Sequence, residues 1–277
     1  MASQSEKART FQDLHRAPGT FVIPNPWDAG TATMLTQLGF KALATTSAGL
    51  AFSLGRPDGK GATRRDEILA NAAAIVAATD LPVSADLEGG FGDRPEDAAA
   101  TIKLAIDAGL VGGSIEDATG REAAPIFDLG LAVDRVRAAV EAAHGGGFPF
   151  TLTARAENFL YGRPDLADTI KRLQAFQEAG ADVLYAPGLR SLADIAAVVR
   201  SVDRPVNVVM GLSGATLTVA ELASVGVKRI SVGSSLARAA LGAFHRAAEE
   251  IRDNGSFTYA ADALSFAELN KMFAAPS

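Results

Sequence analysis

The sequence predicts an α/β protein built as a (β/α)8 barrel, a TIM barrel, with an additional C-terminal helix. Three observations carry that expectation. Eight short apolar or β-branched runs alternate with eight longer Ala-rich stretches whose apolar residues recur at helical spacing. The short runs read as buried on both faces, as parallel strands are when helices cover their sheet. No break in composition divides the 277 residues, and that length is ordinary for one barrel of this kind. A single domain over 1–277 is therefore expected, with 254–277 as a helical extension; an open doubly wound sheet is the competing architecture.

Taken in order, strands are expected at 21–24 (FVIP), 41–45 (KALAT), 82–86 (PVSAD), 112–116 (GGSIE), 150–155 (FTLTAR), 182–186 (DVLYA), 205–209 (PVNVV) and 228–232 (KRISV). Helices are expected near 28–38, 64–79, 95–108, 131–144, 165–179, 191–201, 217–225 and 234–252, rich in residues with high helix propensity. Gly39, Gly109, Gly180 and Gly226 each close a periodic stretch just before a strand, where a left-handed C-cap belongs. Beyond the eighth unit, Phe257, Ala260, Leu264, Phe266, Leu269 and Phe273 recur at mixed three- and four-residue spacings. That pattern predicts a helix in 256–273 whose apolar face lies against a neighbouring subunit, or else folds back under its own barrel.

Composition narrows the function. With no cysteine, the chain has no disulfide, no thiolate metal site and no cysteine nucleophile or acid. A net charge of -6 without a Lys/Arg cluster argues against nucleic acid or an anionic membrane as partner. No apolar run approaches the roughly 18 residues of a membrane helix, and the polar start 1–9 lacks a secretory core, so a cytoplasmic location is expected. Gly89–Asp93 lacks the dinucleotide spacing, and no Walker, GxSxG or HExxH pattern occurs. His15, His144 and His245 stand singly on helical stretches and are expected to be structural.

Barrels of this class hold their active sites at the C-terminal ends of the strands, and here those ends are acidic. Strand three ends in Asp86 with Glu88 beyond it, strand four in Glu116 and Asp117, strand five in Arg155 followed by Glu157. Crowded carboxylates raise one another's pKa unless a cation neutralises them. Oxygen ligands without His or Cys suit Mg²⁺, with Mn²⁺ as a substitute. Asp117, just past the strand, is expected to be structural. The small residues of TTSAG (45–49) can bring backbone N–H groups close to an anion, whereas Asp58 in LGRPDG (54–59) is explained by turn chemistry alone.

The ordered set SAG (47–49), LGRPDG (54–59), DLEGGFGD (86–93), SIEDATG (114–120) and TARAEN (153–158) resembles the isocitrate lyase and phosphoenolpyruvate mutase superfamily over about 21–241. The resemblance implies a Mg²⁺-dependent enzyme acting on a 2-oxo acid or an enolate-like relative. It implies Asp86 as direct metal ligand, with Glu88 and Glu116 holding the metal through water. Ser47, Ala48 and Gly49 fall where relatives bind the substrate carboxylate. Asp58 matches the acid of the second loop, and Arg155 the arginine facing the substrate oxygens; Arg155, Asp58 and Glu116 are thus the implied catalytic set. Glu88 stands where the mutases carry aspartate. The resemblance also implies a homo-oligomer, a dimer of dimers (homotetramer) that exchanges a C-terminal helix between subunits.

Departures from the family pattern narrow the reaction. The isocitrate and methylisocitrate lyases carry a cysteine in the loop after strand four, and here 118–130 reads ATGREAAPIFDLG. The carbon–phosphorus enzymes use an asparagine or lysine in that loop, and only Arg121 is present. What remains is decarboxylation of an oxaloacetate-type acid, or a carbon–carbon lyase reaction releasing a 2-oxo acid. A carbon–phosphorus enzyme, or a protein that binds a 2-oxo acid without turnover, is the alternative. Specificity is expected from 118–130 as a mobile lid, from Tyr185 and Pro187, and from 207–212.

Overall fold

The apolar runs pair side by side into one parallel sheet in the order β1-β8-β7-β6-β5-β4-β3-β2. The computed structural model describes residues 2–59, 61–212 and 216–274. The strands are β1 (Phe21–Ile23), β2 (Leu43–Ala44), β3 (Val83–Asp86), β4 (Gly112–Glu116), β5 (Thr151–Arg155), β6 (Val183–Tyr185), β7 (Val206–Val209) and β8 (Arg229–Ser231). Each lies within its expected range. First and last strands pair, Val22 against Ile230, so the sheet curls into a near-closed barrel. Pro24 and Pro26 lack the N–H a full β1–β2 ladder would need. The seam is bridged instead by Ala44 N–H donating to the Pro24 carbonyl at 3.0 Å and by the Asn25 amide. Its Nδ2 donates to the Thr45 carbonyl at 2.9 Å, and its Oδ1 accepts from the backbone N–H groups of Val232 and Gly233.

Helices α1 (Gln4–Arg16), α2 (Ala29–Gln37), α3 (Ser47–Ser53), α4 (Arg65–Ala77), α5 (Pro95–Asp107) and α6 (Leu129–His144) occupy the first half. Helices α7 (Leu166–Glu178), α8 (Leu192–Arg200), α9 (Val219–Ser224), α10 (Ser235–Asn254) and α11 (Phe266–Phe273) follow. Gly39, Gly109, Gly180 and Gly226 all have φ between 83° and 102°, the left-handed stops their sequence position predicts.

Two helices were not expected. The polar start folds as α1, opened by a Ser3/Glu6 capping box, and closes the N-terminal end of the barrel. Its Phe11 is fully buried under the start of β4. A Cβ on Gly112 would meet the Phe11 ring at 2.8 Å, so this helix seats only because β4 begins with glycine. The second, α3, turns TTSAG from a loop into a short helix capped by Thr46, whose hydroxyl accepts from the Gly49 N–H.

The helix expected near 234–252 is present as α10, and of its 20 residues only Ala237 is buried. Leu241, Phe244 and Ile251 are exposed, Phe244 by 72%. The tail helix α11 lies beside α2 of the same chain, where the Gln37 amide donates to the Met272 carbonyl, but Phe257, Leu264, Phe266 and Phe273 remain exposed. Among the described residues, no helix is long and apolar enough to cross a membrane.

Candidate active site

The C-terminal strand ends open onto a cavity of about 890 Å³ whose wall includes Ser47, Ala48, Asp58, Asp86, Glu88, Glu116, Arg155 and Tyr185. Strand pairing assembles it: Asp86 sits beside Ser114, and Glu116 directly beside Arg155. Neighbours in register point to the same face of the sheet, so acid and guanidinium are delivered together. Arg155 is the hub. It pairs with Asp86 at 2.9 Å, Glu116 at 3.0 Å and the buried Glu157 at 2.8 Å, and its guanidinium lies 5.1 Å from the centre of the Tyr185 ring. The three carboxylates hold the Arg155 pKa well above its ordinary value, against the cost of burial.

One guanidinium does not balance this much acid. Burial and the nearby Asp86 push the Glu88 pKa up to about 7, and the same two causes raise Asp58. Burial likewise raises Glu116 and Glu157, with Arg155 opposing it in both. The chemistry of this oxygen donor set fits a hard divalent cation. The ligand cage is not preassembled, however. Among the described residues no three acidic or imidazole side chains are gathered as metal ligands. Asp86 gives one oxygen to Arg155, and its other accepts from the Ser47 hydroxyl at 2.8 Å and the Ser47 N–H at 3.2 Å.

The loop carrying Glu88 is strained and clamped. Glu88 and Phe91 have φ of 49° and 59°, a left-handed conformation that costs such residues roughly 1–3 kcal/mol each. The Glu88 carbonyl is fixed by the Glu116 N–H at 3.0 Å. From α6, buried Arg135 donates to the carbonyls of Gly89 and Gly92 and lies over the Phe127 ring at 4.3 Å. Asp117 is inside the wall: Arg172 pairs with it at 3.1 Å, and the Glu157 N–H donates to it at 2.8 Å. Residues 118–126 form an excursion with buried ends, Ala118 and Ile126, joined by a bridge, and an exposed tip at 120–124 in which Arg121 pairs with Asp93 at 2.5 Å.

Of the predicted substrate-binding residues, Ser47 and Ala48 face the cavity. Gly49 does not: it is buried beneath, where a Cβ would strike Thr46 at 2.6 Å and Trp27 at 3.0 Å.

Residues 11–252 match the family model described as phosphoenolpyruvate phosphomutase. The chain belongs to the isocitrate lyase/phosphoenolpyruvate mutase superfamily. A crystal structure from Burkholderia cenocepacia J2315, described as a candidate lyase/mutase, is 59% identical with TM-score 0.96, covering 99% of this chain and 97% of that one. A structure of oxaloacetate acetylhydrolase with its product oxalate is 26% identical with TM-score 0.88, covering 98% and 95%. The 2-methylisocitrate lyase of Escherichia coli K12 is 32% identical over 233 residues, 81% of this chain and 76% of that protein. This member of the superfamily has no cysteine at all.

The superfamily motifs drew attention to the cavity mouth and away from its floor. There Arg229 donates to Asn207 Oδ1 at 2.8 Å and Thr153 Oγ1 at 3.0 Å, and lies 3.3 Å from His15 Nε2. Arg229 was readable only as a charged residue inside an apolar strand run. His15, expected from the sequence to be structural, reaches the floor because α1 seats it there.

Proposed function

We propose that this protein is a Mg²⁺-dependent lyase acting on a small 2-oxo acid or related carboxylic acid through an enolate, either as an oxaloacetate-type decarboxylase or as a carbon–carbon lyase. The carrying observation is the excess of carboxylates around Arg155, five acids at or beside one guanidinium. Asp86, Glu88 and Glu116 would hold the cation, which supplies Lewis-acid stabilisation where enolate charge develops. Arg155 adds fixed positive charge beside the same oxygens; Ala48 would offer its backbone N–H to the substrate carboxylate, and Ser47 its hydroxyl and N–H once the cation takes the Asp86 oxygen they now serve. In the decarboxylase reading the C3–C4 bond breaks, carbon dioxide leaves and the electron pair passes into the enolate of the 2-oxo acid. In the lyase reading on a 2-hydroxy diacid the hydroxyl gives its proton to a cavity carboxylate, the C2–C3 bond breaks, the 2-oxo acid leaves as the carbonyl product and the pair passes into the enolate of the second carboxylic acid. In both, a proton then returns to C3 from water or a cavity acid. The lid 118–130 would exclude bulk water meanwhile.

Carbon–phosphorus chemistry is the second reading, favoured by the matched family model. Against it stands the one cation of the lid, Arg121, which is already paired with Asp93. A protein that only binds a 2-oxo acid would gain little from electrophilic groups on the oxo oxygen.

The test is a panel of 2-oxo diacids, substituted malates and phosphonopyruvate with Mg²⁺, followed by product identification. Turnover of a carbon substrate, lost with chelator and in Asp86→Ala, is expected. Phosphonopyruvate as the sole substrate, or full activity in chelator, would overturn the proposal.

A further inference from the structure

We infer that Arg229 forms an anion subsite on the cavity floor that takes the distal carboxylate of a dicarboxylic substrate. This rests on the reading that the mouth binds the 2-oxo acid end. Register places the subsite. Glu116 pairs with Arg155, Arg155 with Tyr185, Tyr185 with Asn207, and Asn207 with Arg229. These five residues form one row across neighbouring parallel strands and all line the cavity. Barrel tilt carries the row downward, so that Arg229 reaches Thr153, two residues deeper on β5 than Arg155. Its guanidinium therefore lies roughly 7 Å of strand below Arg155, a separation suited to the two ends of one small dianion.

The two arginines differ in one decisive respect. Arg155 is surrounded by acids, whereas Arg229 contacts only neutral acceptors among the described residues: Asn207, Thr153 and His15. His15 donates from Nδ1 to the Phe11 carbonyl, leaving Nε2 as an acceptor toward Arg229. Burial and the Arg229 charge hold His15 neutral, its pKa lowered to about 3. Those three contacts use part of a guanidinium's five N–H donors. A buried cation without a counter-charge is costly, and Arg229 is 5% exposed on the wall of a cavity sized for a small molecule. A substrate carboxylate would supply the missing charge and accept from the free N–H groups. A carboxylate held there keeps its charge in the product, so it is not the group lost as carbon dioxide. The subsite thus favours cleavage between the two ends of the substrate over decarboxylation at the distal end.

The experiment measures calorimetric affinity, with Mg²⁺, for oxalate and for length-matched pairs: oxaloacetate against 2-oxobutyrate, and 2-oxoglutarate against 2-oxovalerate. Each pair differs only in a distal carboxylate or methyl. Wild type is expected to prefer one diacid over its partner by about tenfold or more. Arg229→Gln should erase that preference and leave oxalate affinity unchanged, while Arg229→Lys retains part of it. Equal affinities within both pairs in wild type would overturn the subsite without any variant, which covers the case of a variant that does not fold. So would an Arg229→Gln protein that weakens oxalate as much as diacids, or one that keeps the diacid preference. Failure of the mouth reading looks different: oxalate would not bind wild type, while a diacid preference dependent on Arg229 would persist and support the subsite alone.

Discussion

Acid should destabilise this protein through one identifiable residue, His15. The side chain is 9% exposed, donates to the Phe11 carbonyl, faces Arg229 and lies edge-on to the rings of Phe11 and Phe21. Its folded pKa is lowered from 6.5 to about 3, first by burial and then by the Arg229 charge. Between those values the unfolded chain holds a proton that the folded chain refuses. Stability is therefore level above pH ~6.5 and falls as pH drops toward ~3. From pH ~6.5, where the unfolded imidazole is half protonated, to ~4.5 the loss is roughly 2.3 kcal/mol, a little under two full units at ~1.36 kcal/mol each. His15→Gln is the matched perturbation, because an amide can donate to Phe11 and accept from Arg229 but does not titrate. Urea unfolding of both proteins at several pH values cancels the carboxylates they share. The wild-type curve should fall more steeply than the variant curve by about 2–3 kcal/mol over that range. Parallel curves would refute the argument.

Three further outcomes follow from the geometry. Arg155→Lys should lower kcat/KM for the identified substrate by about tenfold or more, at least ~1.4 kcal/mol of transition-state stabilisation, because an ammonium cannot serve several carboxylates and a substrate in one plane; unchanged kinetics would remove Arg155 from the reaction. Oxalate with Mg²⁺ should protect 118–130 from proteolysis, since 121–124 are exposed and are tied mostly to one another and to Thr119, with the Arg121–Asp93 pair as their link to the loop after β3; equal cleavage with and without ligand would defeat the lid. Deleting 254–277 should reduce the mass seen by light scattering, given the uncovered apolar side chains of α10 and the tail; a truncated chain with full oligomeric mass and stability would sink the exchange of the tail between subunits.

The barrel was legible because its signals are local. Each strand is a short apolar run, and four of the helix stops, at Gly39, Gly109, Gly180 and Gly226, are glycines in the left-handed region. The mouth acids were legible for a related reason: residues that end strands must converge once the strands are parallel. What escaped notice depends on long-range placement. Helix α1 carries few apolar residues, and only their seating under Gly112 makes them a plug. Arg135 and Arg172 look like solvated helix charges until α6 and α7 turn them inward to the Gly89 carbonyl and Asp117. Helical periodicity in α10 was read correctly, but periodicity does not say which surface a helix covers.

The wiring of the floor also fixes the order in which the cavity can mature during synthesis. Every acid of the mouth lies between Asp58 and Glu157, so that rim is encoded in the first 157 residues. The lower cation belongs to β8, and its acceptor His15 lies 214 residues earlier in the chain. Because the ribosome releases the N-terminal part first, α1 and β1 wait for the last strand before the floor exists. A nascent chain can possess the acidic rim, yet it gains its deep positive charge only at the moment the ring is sealed.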